Sequence, residues 1–235
     1  MTLDPGSKDF QRGLREREQG RLAVAQACLR RSAALRTKHF GRRHHLTAQS
    51  LNFLANVLHQ RGHDEQAEAL YRESLAVRME TLGKEHKDVA ASLSNLANLL
   101  QETGRLTEAE ELYRRSLRLR RKNYGERHEN VAMCLANLAI LQDKTGRRVA
   151  AERNFRRSLS MLEQVVGARH KLTAYTRANL ADFLLRTGGS EEAAPLAEKA
   201  AADLRGQLPR GHHYAKWARA VLKNVRAARK REKSQ

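Results

Sequence analysis

Glycine and histidine recur along this chain at one fixed step, and that step constrains the fold more than any other feature. Gly41, Gly83, Gly125 and Gly167 are each followed three residues later by a histidine, His44, His86, His128 and His170, and the same 42-residue step reaches His212. A second series, Gly20, Gly62, Gly104, Gly146 and Gly188, runs at the same step and divides each unit in two. Self-similarity at a fixed period means stacked copies of one supersecondary unit rather than a single globular core.

Each half-unit reads as an amphipathic helix. In residues 89–104, Leu93, Leu96, Ala97 and Leu100 fall at i, i+3, i+4 and i+7, and the pattern stops at a glycine. We call this helix A. In residues 105–125, Ala109, Leu112, Tyr113, Ser116 and Leu117 repeat the pattern, which again stops at a glycine; this is helix B. Connections this short force the two to pack antiparallel, and neither buries its apolar face without the next pair. A stack of helix pairs follows.

The period alone leaves two repeat classes open, since it falls within the range of about 40–47 residues for HEAT and armadillo units and above the usual 34 or so of tetratricopeptide repeats (TPRs). Internal spacing separates them. After each inner glycine come alanine at +5, a ring at +9 and a small residue at +12: Ala67, Tyr71, Ser74; Ala109, Tyr113, Ser116; Ala151, Phe155, Ser158. The outer units keep a weaker form, Ala25, Leu29, Ser32 and Ala193, Ala197, Ala200. This is the TPR pattern, with the alanine where helices A and B cross most closely and the ring filling the adjacent gap.

The units SLSNLANLLQETGRLTEAEELYRRSLRLRRKNYGERH and CLANLAILQDKTGRRVAAERNFRRSLSMLEQVVGARH resemble the TPRs of kinesin light chains and nephrocystin-3-like proteins. The resemblance covers roughly residues 20–213 and is strongest at 46–186. It implies an all-α, right-handed TPR solenoid of about five antiparallel helix pairs with a C-terminal capping helix. The family usually places proline after the repeat histidine; His45, Lys87, Glu129, Lys171 and His213 stand there instead, which is expected to loosen the start of helix A. The expected organisation is a partial or atypical first helix in 1–19, the repeat array in 20–213, and a capping helix with a basic tail in 214–235. Tyr214, Trp217, Val221 and Val225 are expected to face inward from that last helix.

Composition agrees with helix and says something of partners. The chain is 40% hydrophobic, 5% aromatic and 30% charged, with only 3 prolines. Its 45 Lys+Arg against 26 Asp+Glu leave a formal net charge of +19, which attracts acidic partners, whether peptide, nucleic acid or anionic surface. Cys28 and Cys134, the only cysteines, are too few for a disulfide framework and read as small core residues in a reducing, cytoplasmic setting, with nuclear entry open through the basic tail. No stretch approaches the length needed to cross a bilayer.

With the leucines of helix A in the core, the opposite face lines a groove. Its residues are Phe53 and Asn56, then Asn95 and Asn98, then Asn137 and Ile140, then Tyr175, Asn179 and Asp182. Each carboxamide can donate to a backbone carbonyl and accept from a backbone N–H, which grips an extended peptide without demanding a sequence. In kinesin-light-chain-like repeats the matching asparagine contacts bound peptide, so the resemblance implies that role for Asn95, Asn137 and Asn179; the competing role is bonding to a neighbouring helix. Some TPRs clamp a C-terminal carboxylate with Lys and Arg, but the matching places here hold Ser94, Met133 and Asn137.

The repeat histidines invite a metal reading that spacing opposes. Equivalent residues of stacked units lie at least about 8–10 Å apart, whereas zinc ligands lie about 2 Å from the metal. Stabilising the turn into helix A suits them better. There is no nucleophile elbow, glycine-rich phosphate loop or isolated carboxylate pair, so neither enzyme nor cofactor is expected. The expected function is a non-catalytic adaptor for a protein or peptide partner. The alternatives are a basic nucleic-acid-associated scaffold, using the arginines of helix B and the tail cations Lys223, Arg226, Arg229, Lys230, Arg231 and Lys233, or a purely structural subunit.

Overall fold

The computed structural model describes residues 4–208 and 212–232, and every described element is a helix. Two compact units divide the chain, residues 1–123 and 124–235. The first holds α1 (Ser7–Glu18), α2 (Leu22–Phe40), α3 (His45–Gln60), α4 (Asp64–Thr81), α5 (Lys87–Glu102) and α6 (Leu106–Tyr124), whose last residue falls just past the division. The second holds α7 (Glu129–Lys144), α8 (Arg148–Val165), α9 (Lys171–Arg186), α10 (Ser190–Gln207) and α11 (His213–Glu232). Odd-numbered helices are helix A and even-numbered ones helix B. Five pairs therefore precede α11.

Local chemistry sets the ends of these helices. At Gly62, φ is 79°, and the His63 N–H turns back to the Leu58 carbonyl at 2.9 Å, the six-residue closure of a Schellman end. A Cβ there would meet nothing within 4 Å, so the left-handed backbone, not space, demands glycine. At the other end, His44, His86, His128 and His170 are N-caps. Each Nδ1 accepts the N–H two residues on, at 3.2, 3.2, 3.0 and 3.3 Å, and His212 repeats the bond to Tyr214 at 3.3 Å. The expected loosening without proline does not occur. Helix A begins directly after each histidine, whose imidazole satisfies one of the first-turn donors.

The residues after each inner glycine form the joint inside a pair. Ala67, Tyr71 and Ser74 are at most 2% exposed, as are Ala109, Tyr113 and Ser116 and then Ala151, Phe155 and Ser158. The serines do more than fit. Ser74, Ser116 and Ser158 each donate a hydroxyl to a helix A carbonyl, those of Ala48, Ala90 and Ala132, all at 2.7 Å. Leu93, Leu96, Ala97 and Leu100 are at most 1% exposed, and fully burying one leucine is worth roughly 1.5–3 kcal/mol. Cys28 and Cys134 are buried free thiols.

Between pairs, two buried arginines replace apolar packing. Arg36 Nη1 donates to Ser50 Oγ at 2.8 Å and to the Leu46 carbonyl at 3.0 Å. Arg78 repeats this one period later, on Ser92 Oγ at 2.8 Å and the Asp88 carbonyl at 3.0 Å. In the second unit the matching position is the buried Leu162, and the buried cation is Arg177, which meets Asp203 at 3.0 Å and Glu163 at 2.9 Å.

The outermost helices are docked by their own means. Gly13 of α1 is close enough to α2 that a Cβ would stand 2.7 Å from Leu29, and Phe10 is buried. On α11, Val221 and Val225 are buried and Trp217 is half-buried. Tyr214 corrects the sequence reading: it is 40% exposed, its ring lying against Tyr175 at 4.7 Å instead of in the core.

Candidate functional site

In the first unit the groove face comprises Phe53 and Asn56 of α3 and Asn95 and Asn98 of α5, all partly exposed. Phe53 meets the Phe10 ring edge-on at 5.2 Å, with the Arg17 guanidinium 5.5 Å from its centroid. Asn56 Oδ1 accepts the Tyr71 hydroxyl at 2.6 Å, and Asn98 Oδ1 accepts the Tyr113 hydroxyl in the same way. Burial pushes ionisation of Tyr71 far above the usual phenol range, so the hydroxyl remains a donor. These bonds hold both amides in one orientation. Asn95 Nδ2 makes a long contact, 3.4 Å, to Oδ1 of the buried Asn52.

At one end of this face lies a group the sequence reading missed. His59 of α3 places Nδ1 2.7 Å from Asp64 and Nε2 3.3 Å from Glu102 of α5. Hydrogen bonding to Glu102, and secondarily to Asp64, raises the imidazole pKa to about 9 against the opposing effect of burial. The imidazolium thus ties α3, α4 and α5 together.

In the second unit Asn137 and Ile140 lie on α7 and Tyr175, Asn179 and Asp182 on α9, again partly exposed. Asn179 Nδ2 donates to the Tyr175 carbonyl at 3.1 Å. The Tyr175 ring is flanked by Tyr214 at 4.7 Å and Trp217 at 5.6 Å. Asp182 meets Arg186 at 3.1 Å, and Arg186 also reaches Asp143 at 2.6 Å, so the carboxylate charge is shared.

Several cations of helix B are paired with carboxylates. Arg72 meets Glu68 at 2.8 Å and Glu108 at 2.7 Å; Arg156 repeats the arrangement with Glu152 at 2.8 Å and Glu192 at 2.6 Å. Arg114 pairs with Glu110 at 2.7 Å. Such pairs contribute little stability, but they reduce the field a polyanion would feel. The tail cations Lys223, Arg226, Arg229, Lys230 and Arg231 belong to α11 itself, with Arg226 3.2 Å from Glu198, and Lys233 lies outside the described residues. Among the described residues no three His, Cys, Asp or Glu side chains gather as metal ligands, and no helix is long and apolar enough to cross a membrane.

Comparison with known proteins fits this geometry. A tetratricopeptide repeat profile matches residues 11–80 and 88–164, and a second one matches 174–199. Among solved structures, a Podosopora anserina chain described as a kinesin light chain with nearly identical TPR-like repeats superposes with a TM-score of 0.67 at 21% identity, covering 88% of this chain and 98% of that one. BtubC (BKLC) from P. vanneervenii gives 0.61 at 23% identity, covering 92% of each chain. A Rap protein complexed with Competence and Sporulation Factor gives 0.76 at 13% identity, over 92% of this chain and 61% of that one. No curated protein sequence matches. At these identities the structures are alike in fold.

Proposed function

The chain belongs to the tetratricopeptide repeat family, and on that premise we propose that it is a non-catalytic protein-interaction scaffold whose helix A faces grip an extended peptide segment of a partner. The observation that carries this reading is the state of the groove amides. Asn56 is held by Tyr71 through its oxygen, and its Nδ2 group has no partner among the described residues. Among the described residues Asn95 has only its long contact to Asn52, and Asn179 uses its nitrogen on a carbonyl of its own helix. Fixed amides that still offer donors or acceptors suit a peptide backbone. Phe53 and Tyr175 each present a partly exposed ring for an apolar side chain.

Replacing Asn95, Asn137 and Asn179 together with alanine tests the reading. Each lost contact costs on the order of 0.5–1.5 kcal/mol, so the triple variant should bind a peptide selected from an array tens-fold more weakly, with little change in melting temperature. Unchanged affinity with a markedly lower melting temperature makes the asparagines structural, and the groove assignment fails.

A further inference from the structure

The last described helix carries a pattern that the repeat does not explain. Aligned by the 42-residue step, α11 is a sixth helix A, capped by His212 as α9 is by His170. In α9, Ala174 packs in one cluster with Ala200 and Leu204 of α10, and Ala181 and Leu184 in another with Ala193, Ala194 and Ala197. One period on, these three positions become Lys216, Lys223 and Arg226. All three are exposed, as are Arg219 and Lys230 between and beyond them. The face that α9 gives to its helix B is therefore open and cationic in α11, and no helix covers it among the described residues.

These residues also obey a seven-residue repeat, Lys216-x-x-Arg219-Ala220-x-x, then Lys223-x-x-Arg226-Ala227-x-x, then Lys230. Steps of three and four place them on one stripe, running about 21 Å at 1.5 Å per residue. Ala220 and Ala227 are exposed beside the cations and leave room for another backbone. Among the described residues no carboxylate pairs with Lys216, Arg219 or Lys223.

We propose that this stripe is a docking seam for an acidic amphipathic helix of a partner protein, seated where helix B of a sixth pair would lie. A helix is the polymer whose side chains repeat at the same three-and-four step, so its carboxylates meet Lys216, Arg219 and Lys223 in register. Two copies of this chain cannot pair through the seam, because like charges would face each other. A phosphate polymer fits less well. The Tyr214 and Trp217 rings of α11 are both turned against Tyr175 and not along the seam, where stacked bases would need them. The seam shares no residue with the proposed peptide groove of Asn95, Asn137 and Asn179, so either reading can fail alone.

The test uses the full chain and a synthetic three-heptad peptide, Glu-x-x-Glu-Ala-x-x, beside an isomer of identical composition with its glutamates spread around the helix. Fluorescence anisotropy at physiological salt should show the patterned peptide binding about tenfold or more tightly than the isomer, since register and not net charge decides. The K216E/K223E variant should lose that preference, and a peptide with lysine for glutamate should regain it. Equal binding of the two isomers overturns the seam. So does duplex DNA that binds more tightly than the patterned peptide and displaces it, which would assign the stripe to phosphate. If the variant melts early, the isomer comparison on the unaltered chain still decides.

Discussion

The Tyr71 hydroxyl donates to Asn56 Oδ1 at 2.6 Å, so that the ring filling the space between α3 and α4 also sets a groove amide. The same bond joins Tyr113 to Asn98. One period further the ring is Phe155 and the residue fifteen before it is Ile140, so hydroxyl and amide are absent together. The pair behaves as a unit.

Tyr71→Phe should therefore cost about 1 kcal/mol, the net worth of one hydrogen bond, by leaving the amide oxygen of a partly buried residue unmade. Adding Asn56→Ile recreates the Phe155 and Ile140 combination and should recover most of the loss. A double-mutant cycle by urea unfolding checks this; simple additivity of the two changes would mean that they do not act as a pair.

His59 gives the fold a pH-dependent tie. Its folded pKa is raised to about 9 from 6.5, so the protonated form is bound more strongly in the folded chain. The stabilisation is fully present below the unfolded value and is lost as pH rises through the folded one. The melting temperature of His59→Gln should fall furthest below that of the parent near pH 6 and converge with it by about pH 9.5. A gap that widens with pH would show that the neutral imidazole is the stabilising form.

How much of this was legible depended on whether the signal was periodic. The Gly104 and His86 series mark the helix ends inside the repeats, because each meets a backbone requirement that few residues meet. The alternation of Leu93, Leu96 and Leu100 located the core. Ser74 was read as merely small, since spacing cannot show a hydroxyl aimed at the Ala48 carbonyl. His59 was missed because its partners Asp64 and Glu102 belong to other helices and recur in no other unit. The heptad of α11 is present in the sequence, but the surrounding run of cations masks its register.

The histidine caps predict a simple substitution order. His86 Nδ1 accepts the Asp88 N–H at 3.2 Å, so His86→Ala removes the acceptor and should cost about 0.5–2 kcal/mol. His86→Asn keeps an acceptor at the same depth and should cost less. Chemical unfolding of the two variants checks the order; equal losses would mean that the ring's packing, and not the cap bond, carries the effect.

The last expectation concerns how α1 is held. Arg36 is 3% exposed and reaches back to Asp4 at 2.6 Å, while its guanidinium lies 4.7 Å from the Phe10 ring and its Nη1 holds α3 through Ser50 and the Leu46 carbonyl. The hydrogen bond from Arg36, with its charge, holds the Asp4 carboxyl below the usual range despite burial. A depressed carboxyl contributes stability above its unfolded value, near 3.8, and loses it as pH falls through the lower folded value. Asp4→Asn removes the charge but leaves the α3 acceptors of Arg36 in place, so the damage should be local. Breaking a partly exposed pair of this kind is expected to cost about 1–2 kcal/mol, less than the 3–5 of a fully buried one, because water reaches Asp4. Hydrogen exchange should accelerate across Ser7–Glu18, with the amides of α5 unchanged. Uniform acceleration through the whole first unit would show instead that α1, α3 and α5 open together, and that Asp4 secures more than its own helix.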